Sequence, residues 1–257
     1  MITFRKLGRF GRLGNQMFQI AAVIGASIRH EMPARFPKWE YAQYFKGCLD
    51  QSLGWRPFLK VYRERGYPYQ NIPAVSGFPF SGLDLEGYFQ SEKYFEHCTH
   101  KIREIFSPAD EIEDILEAKY GHWLSHPQTC SIHVRRTDYL RYQDYHPLQT
   151  IAYYESCMAA VPGDAVEFLV FSDDIPWCKS AFAGPNIHFI EEERDVVALQ
   201  LMARCKHNII ANSSFSWWGA WLNLHPEKKV FAPRNWFGPQ ALNHDNRDLI
   251  PANWVKK

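Results

Sequence analysis

Paired cysteines are missing from this chain. The six cysteines stand at 48, 98, 130, 157, 178 and 205, so the closest two are 21 residues apart. That spacing excludes a Cys-x-x-Cys redox pair and a zinc ribbon, and leaves isolated buried thiols in a reducing compartment as the expectation. An excess of one charge is missing too. Lys and Arg number 29 against 28 Asp and Glu, for a net charge of +1. Without a global positive field the chain is not read as a nucleic-acid binder, and any anion site must be local. No apolar run reaches the roughly 20 residues that span a bilayer. The N-terminal Met1-Ile2-Thr3-Phe4-Arg5-Lys6 leads into no long apolar core, so no signal peptide is expected and the chain reads as soluble and cytoplasmic. Asn212-Ser213-Ser214 matches a glycosylation sequon, which carries no meaning in that compartment. No repeat and no low-complexity tract is present.

What is there is a foldable core and many rings. The chain has 257 residues, 46% of them hydrophobic and 22% charged. At about 150 residues per domain it holds one large domain or two small ones. Aromatic residues make up 16%, with nine Trp and thirteen Tyr; such rings stack on sugar faces but equally fill cores and interfaces.

Two halves are visible. The first opens as a strand over residues 2–7, glycines at 8, 11 and 14, and a helix carrying Met17, Ile20, Ala21, Ile24 and Ile28 at helical spacing. Residues 31–86 are weakly periodic and broken by Pro57, Pro68, Pro73 and Pro79, which reads as loops and short helices. Helices are expected over 92–106 and 109–123, the second begun by Ser107 as cap and Pro108 at the first helical position. In the second half short apolar runs at 130–134, 166–171, 187–190, 208–211 and 230–232 alternate with helical patterns at 151–161, 175–182, 196–205 and 215–224. Strands alternating with helices imply βαβ units and a buried parallel sheet. The turn-prone stretch 121–128 divides the chain into domains of 1–124 and 125–257.

Three polar clusters each follow a predicted strand, at the edge where open α/β sheets bind ligands. They are His133-Val134-Arg135-Arg136-Thr137-Asp138-Tyr139, Ser172-Asp173-Asp174, and Asn212-Ser213-Ser214-Phe215-Ser216-Trp217-Trp218. A planar, always charged guanidinium at a strand end suits a bidentate phosphate contact. One of Arg135 and Arg136 is expected to pair with Asp138, leaving the other for a ligand. One of Asp173 and Asp174 caps the helix from Ile175, while the other is free to accept from a base. Ser213 and Ser214 open a helix whose amides and dipole favour an anion; Trp217, Trp218 and Trp221 read as core. At the front, Gly11-Arg12-Leu13-Gly14-Asn15-Gln16 is not a P-loop, since no Gly-Lys-Ser/Thr follows. Its glycines allow close approach, and the Asn15 and Gln16 amides are able to grip hydroxyls.

Together these residues resemble the inverting α-1,2-fucosyltransferases of glycosyltransferase family 11. The resemblance runs through Gly11 to Gln19, Gly87 to Phe95, His133 to Tyr139, Phe171 to Asp174, Asn208 to Trp221, Ala232 to Trp236 and Ile250 to Trp254, essentially the whole chain. The Asn-Ser-Ser-Phe-Ser-Trp-Trp string is its most specific part. Thr137 departs from the Gly usual in bacterial members and is similar to the α-1,6 branch.

The resemblance implies an α/β fold of the GT-B type: two Rossmann-like domains facing a cleft, an N-terminal one for the acceptor and a C-terminal one for GDP-fucose. It implies that His133 and Asp174, with Asp173 beside them, meet guanine, that Arg135 binds the β-phosphate with Arg136 alongside, and that Ser213, Ser214 and Phe215 complete the nucleotide pocket. Gly14, Asn15 and Gln16 would approach the fucose or diphosphate. Arg135 and Asp138 are the catalytic candidates, with Asp138, Glu92 or Asp144 as base, if a protein base is needed. No metal or other cofactor is expected; metal-dependent glycosyltransferases usually carry Asp-x-Asp, and no two aspartates here stand two apart. The implied partners are GDP-fucose and a galactose-containing glycan, including a lipid-linked acceptor at a membrane surface. Other readings are a different linkage, a non-catalytic sugar-binding module, which leaves Arg135 and Arg136 unexplained, and a phosphotransferase, which lacks the P-loop lysine.

Overall fold

A computed structural model describes residues 1–54, 58–75, 81–241 and 244–257. Pro57 and Pro79, two of the predicted chain breakers, lie outside the described residues. The chain forms two compact units, residues 1–111 with 245–251, and residues 112–244 with 252–257.

The first unit is built on a three-stranded parallel sheet in the order β1 (Ile2–Thr3), β3 (Gly82–Glu86), β2 (Leu59–Arg63). The expected loops of 31–86 therefore hide two strands. β3 is buried almost end to end, including Asp84 at 1% exposure, which accepts from Arg5 N at 2.9 Å and Arg5 Nε at 2.7 Å. A carboxylate in a central strand masks the apolar alternation by which a strand is recognised.

Helix α1 (Leu13–Arg29) begins four residues earlier than its first apolar marker, so Gly14, Asn15 and Gln16 lie in its first turn. Instead of one helix over 92–106, two 3₁₀ turns at Glu92–Tyr94 and Glu96–Cys98 precede α2 (Thr99–Ile105). Gly25 of α1 sits against the Tyr94 carbonyl, and its own carbonyl accepts from His97 Nε2 at 3.0 Å. A Cβ there would collide with backbone that cannot rotate away. Gly25→Ala is expected to destabilise the protein by about 1–3 kcal/mol, read as a lower urea midpoint. The 245–251 segment is held by Asp248, whose carboxylate takes Lys93 Nζ at 2.6 Å and Tyr69 N at 2.9 Å.

In the second unit six parallel strands are β4 (Thr129–Val134), β5 (Glu167–Ser172), β6 (Ile187–Ile190), β7 (His207–Ile209), β8 (Val230–Ala232) and β9 (Val255–Lys256). Their order is β6-β5-β4-β7-β8-β9. β4 is buried at all six positions, as a central strand covered on both faces must be. Helices α4 (Ile151–Met158), α5 (Ile175–Ala181), α6 (Asp195–Arg204) and α7 (Ser214–Leu222) alternate with the strands. Trp217, Trp218 and Trp221 are buried core, as their spacing predicts. Helix α3 (Asp110–Leu124) starts beyond Pro108, which instead bridges to Phe45. α3 packs with the second unit from Ile112 onward, because Glu113 pairs with Arg204 at 2.6 Å and Lys119 and Tyr120 both reach Glu193. Packing thus divides the chain near 112 instead of at 124/125.

All six cysteines are free; Cys130, Cys157, Cys178 and Cys205 are buried, and Cys48 is exposed. Among the described residues no helix is long and apolar enough to cross a membrane.

Candidate active site

The six-stranded order has one reversal. From β4 the chain moves outward to β5 and β6, then returns across the sheet to β7 and continues to β8 and β9. Between the C-terminal ends of β4 and β7 the connecting segments part in opposite directions, which opens the crevice where such sheets take their ligands. His133 to Asp138 leave β4 there, Asp173 and Asp174 leave neighbouring β5, and Asn212 to Phe215 lead from β7 into α7. The three clusters meet at one edge.

Arg135 is held from two sides. Its Nη2 is 2.8 Å from Asp138 Oδ1, its Nη1 is 3.1 Å from Asp173 Oδ2, and the Tyr139 ring lies 5.8 Å below its Cζ. Burial alone would lower the guanidinium pKa, but the two carboxylates outweigh it and hold it above the ordinary value. Arg136 donates from Nε to Asp174 Oδ2 at 3.0 Å and stacks over Trp177 at 3.9 Å. Both arginines are therefore paired, where one was expected to stand free.

The two aspartates divide their work. Asp174 caps α5 by accepting from Trp177 N at 3.2 Å, while its other oxygen takes Arg136. Asp173 organises the loop: it accepts from Arg136 N at 2.9 Å, Thr137 N at 3.2 Å and the Thr137 hydroxyl. Thr137, the position that departs from the resembled pattern, is thus a clamp residue. Asp138 is the looser partner, with a side chain 43% exposed against 18% for Asp173.

Ser213 caps α7 through Phe215 N at 3.4 Å, and the Phe215 ring packs 5.5 Å from that of His133. Asn212 fixes the entry to α7 by donating to Pro147 O and Trp236 O. His133 is buried and its Nδ1 has no partner among the described residues. Burial, reinforced by the Arg135 charge, pushes its pKa down to about 3, so the ring is neutral.

That neutrality makes stability pH-dependent. An unfolded His takes up a proton near 6.5, whereas folded His133 stays neutral to about 3 and buried His207 to about 4. The unfolded chain then binds more protons across that window, so acidification from 6.5 towards 4 lowers stability, by up to about 1.4 kcal/mol per pH unit for each histidine. Urea melts at pH 7 and 5 are expected to show this, with a shallower slope for His133→Asn.

The first-unit candidates lie together in α1. Gln16 is buried with both ends of its carboxamide in use, Nε2 to Gly11 O at 3.0 Å and Oε1 from Trp39 Nε1 at 2.7 Å. It anchors the glycine loop and leaves no free end to grip a hydroxyl. Asn15 Oδ1 accepts from Gln90 Nε2 at 2.8 Å, and Gly14 is buried. Glu92 begins the first 3₁₀ turn of the first unit, and Asp144 is exposed. The sequence does not single out Trp177; its one signal is a ring three residues past the cap Asp174, and its face takes the Arg136 guanidinium from the loop after β4. Among the described residues no three His, Cys, Asp or Glu side chains converge as metal ligands.

The family model for Glycosyl transferase family 11 matches residues 55–257. The chain belongs to glycosyltransferase family 11. It is 30% identical to an α-1,2-colitosyltransferase of Escherichia coli, covering 96% of each chain, and 24% identical to galactoside α-(1,2)-fucosyltransferase 2 of Oryctolagus cuniculus, covering 84% of this chain and 66% of that one. The α-1,6-fucosyltransferase NodZ, in a crystal soaked with GDP-fucose, superposes with a TM-score of 0.53 over 86% of this chain and 91% of its own, at 14% identity. At that identity the likeness shows the fold, which is GT-B type α/β with parallel sheets. This family 11 member is a glycosyltransferase, related in sequence to fucosyl- and colitosyltransferases.

Proposed function

We propose that this family 11 enzyme transfers L-fucose from GDP-fucose to the 2-hydroxyl of a galactoside, with inversion and without a metal ion. The observation that carries the reading is the Arg135 guanidinium, fixed by Asp173 at the strand crossover beside the N-terminus of α7. Departure of GDP puts negative charge on the β-phosphate as C1 gains oxocarbenium character. A fixed guanidinium and helix amides stabilise that charge more in the transition state than in the ground state. His133, Arg136, Asp173, Asp174, Ser213, Ser214 and Phe215 form the nucleotide pocket in this reading, with guanine against His133 and Phe215. Gln16 anchors the turn that carries Gly14 and Asn15.

Two arginines face three aspartates at this edge, so the site attracts an anion by geometry and not by net charge. Asp138 is the displaceable partner: a phosphate oxygen takes its place on Arg135, and the released carboxylate becomes available to accept the acceptor's proton. A second reading, colitosyl transfer, is favoured by the 30% identity to the colitosyltransferase across 96% of both chains.

The test is transfer from GDP-fucose to lactose and a small panel of galactosides in the presence of EDTA, with product linkage read by NMR. Fucose on the galactose 2-hydroxyl is the expected product. Activity only with the colitosyl nucleotide would establish the second reading, and loss of transfer in EDTA would overturn metal independence.

A further inference from the structure

The opposite edge of the six-stranded sheet carries a feature that the transfer reaction does not use. A cavity of about 440 Å³ opens where the strands begin, lined by Gln128 before β4, Gly163 before β5, Lys206 and His207 at the start of β7, and Lys228 and Lys229 before β8. In a parallel sheet this is the edge away from Arg135 and Asp173, which follow the strands' C-terminal ends.

Two buried polar atoms of the lining are orphaned. His207 is 1% exposed, and its Nδ1 accepts from Lys229 N at 3.0 Å. A neutral ring that accepts at Nδ1 must carry its hydrogen on Nε2, and that Nε2 has no partner among the described residues. Gln128 Oε1 is the second orphan, an acceptor without a donor. An unmet buried donor or acceptor costs about 1–3 kcal/mol, and two at one cavity point to a ligand that supplies both complements. Gly163, at φ +110°, allows the wall to close against Gln128, since a Cβ there would stand 2.7 Å from Gln128 Oε1.

Charge specifies the ligand further. Lys206, Lys228 and Lys229 line the cavity with Glu227 as the one acidic residue, 3.6 Å from Lys206 and 75% exposed. The Lys228 ammonium also holds the carbonyls of Ala220 and Asn223 at the end of α7, each at 2.7 Å, so its position is fixed. Lys229 has no carboxylate within bridging distance among the described residues. Three cations, one of them fixed, with one N–H donor and one acceptor, are the complement of an oxyanion that still carries a hydroxyl.

We propose that this cavity binds a phosphate group, free or as part of a phosphorylated ligand, at a site separate from the one at the strand crossover. The phosphate oxygens face Lys206, Lys229 and His207 Nε2, and a P–OH or neighbouring hydroxyl donates to Gln128 Oε1.

The probe is inorganic phosphate, titrated into the full chain while the His207 ring is followed by NMR. A phosphate beside the ring is expected to shift its resonances and raise its pKa by about one unit. The response is expected to survive Arg135→Ala, which separates it from anion binding at the crossover. It is expected to weaken about tenfold or more in the Lys206→Gln, Lys229→Gln double variant, with Gln128→Ala as a second, less disruptive probe. The His133 resonance reports that each variant is folded. A parallel arm measures cosedimentation with vesicles of phosphatidylglycerol and phosphatidylcholine in equal parts. A response to dissolved phosphate assigns the site to free phosphorylated ligands. Lysine-dependent vesicle binding without that response assigns it to a lipid headgroup. No response in either arm, or a response that the lysine and glutamine variants leave unchanged, overturns the proposal.

Discussion

Arg135→Ala is expected to lower turnover on the order of 100-fold or more, the loss that follows removal of one donor aimed at developing oxyanion charge. The effect belongs to kcat more than to KM. In the proposed reaction the ground-state diphosphate would keep the helix amides and the other pocket contacts, whereas the charge that grows as GDP leaves would lose its fixed guanidinium. Arg135→Lys is not expected to restore the rate. Asp138 and Asp173 grip Nη2 and Nη1 separately, and a lysine offers one compact charge where, in the proposed reaction, a planar fork would hold Asp173 with one arm and a phosphate with the other. Circular dichroism and GDP binding distinguish this outcome from misfolding. A folded Arg135→Ala variant with near-normal turnover would remove Arg135 from the mechanism.

The crossover edge was legible because its chemistry is local in sequence. Each cluster directly follows its strand, so reading the strands of the second half already places His133, Arg135, Asp173 and Ser213 at one edge. The pairing inside the edge was not legible. Whether Arg136 faces Asp138 or Asp174 depends on how far the β4 loop turns, and that turn is set by Asp173, 37 residues on, accepting from Arg136 N. The same holds for Gln16, whose partner Trp39 is 23 residues away. In the first unit β2 and β3 went unread for another reason. Leu59-Lys60-Val61-Tyr62-Arg63 is half-exposed, and β3 hides a buried Asp84 whose charge is met by Arg5, 79 residues off. Local pattern predicts a strand only where its neighbours are apolar; here long-range pairing overrides it. The 112 boundary is likewise a matter of side-chain partners, Glu113 with Arg204, and leaves no composition change to read.

Asp173→Ala is expected to be the substitution that most disturbs the β4 loop, although Asp173 itself follows β5 and acts on that loop through Arg135, Arg136 and Thr137. Its carboxylate accepts from two backbone amides and a hydroxyl and pairs with Arg135. Removing it strands the amides of Arg136 and Thr137 and frees one arm of the Arg135 guanidinium. Breaking such a half-buried pair and its hydrogen bonds costs about 2–4 kcal/mol, measurable as a lower urea midpoint. Turnover is expected to fall at least about tenfold, since a reacting group held even 1 Å out of place loses rate steeply. The conservative variant separates positioning from bulk stability. Asp173→Asn keeps one oxygen to accept from Arg136 N but turns an NH₂ towards two donors, Thr137 N and Arg135, with only the Thr137 hydroxyl able to accept from it. It is therefore expected to recover much of the stability and little of the turnover. Joint recovery of both would mean that Asp173 acts only by holding the loop together, and that the orientation of Arg135 does not limit the rate.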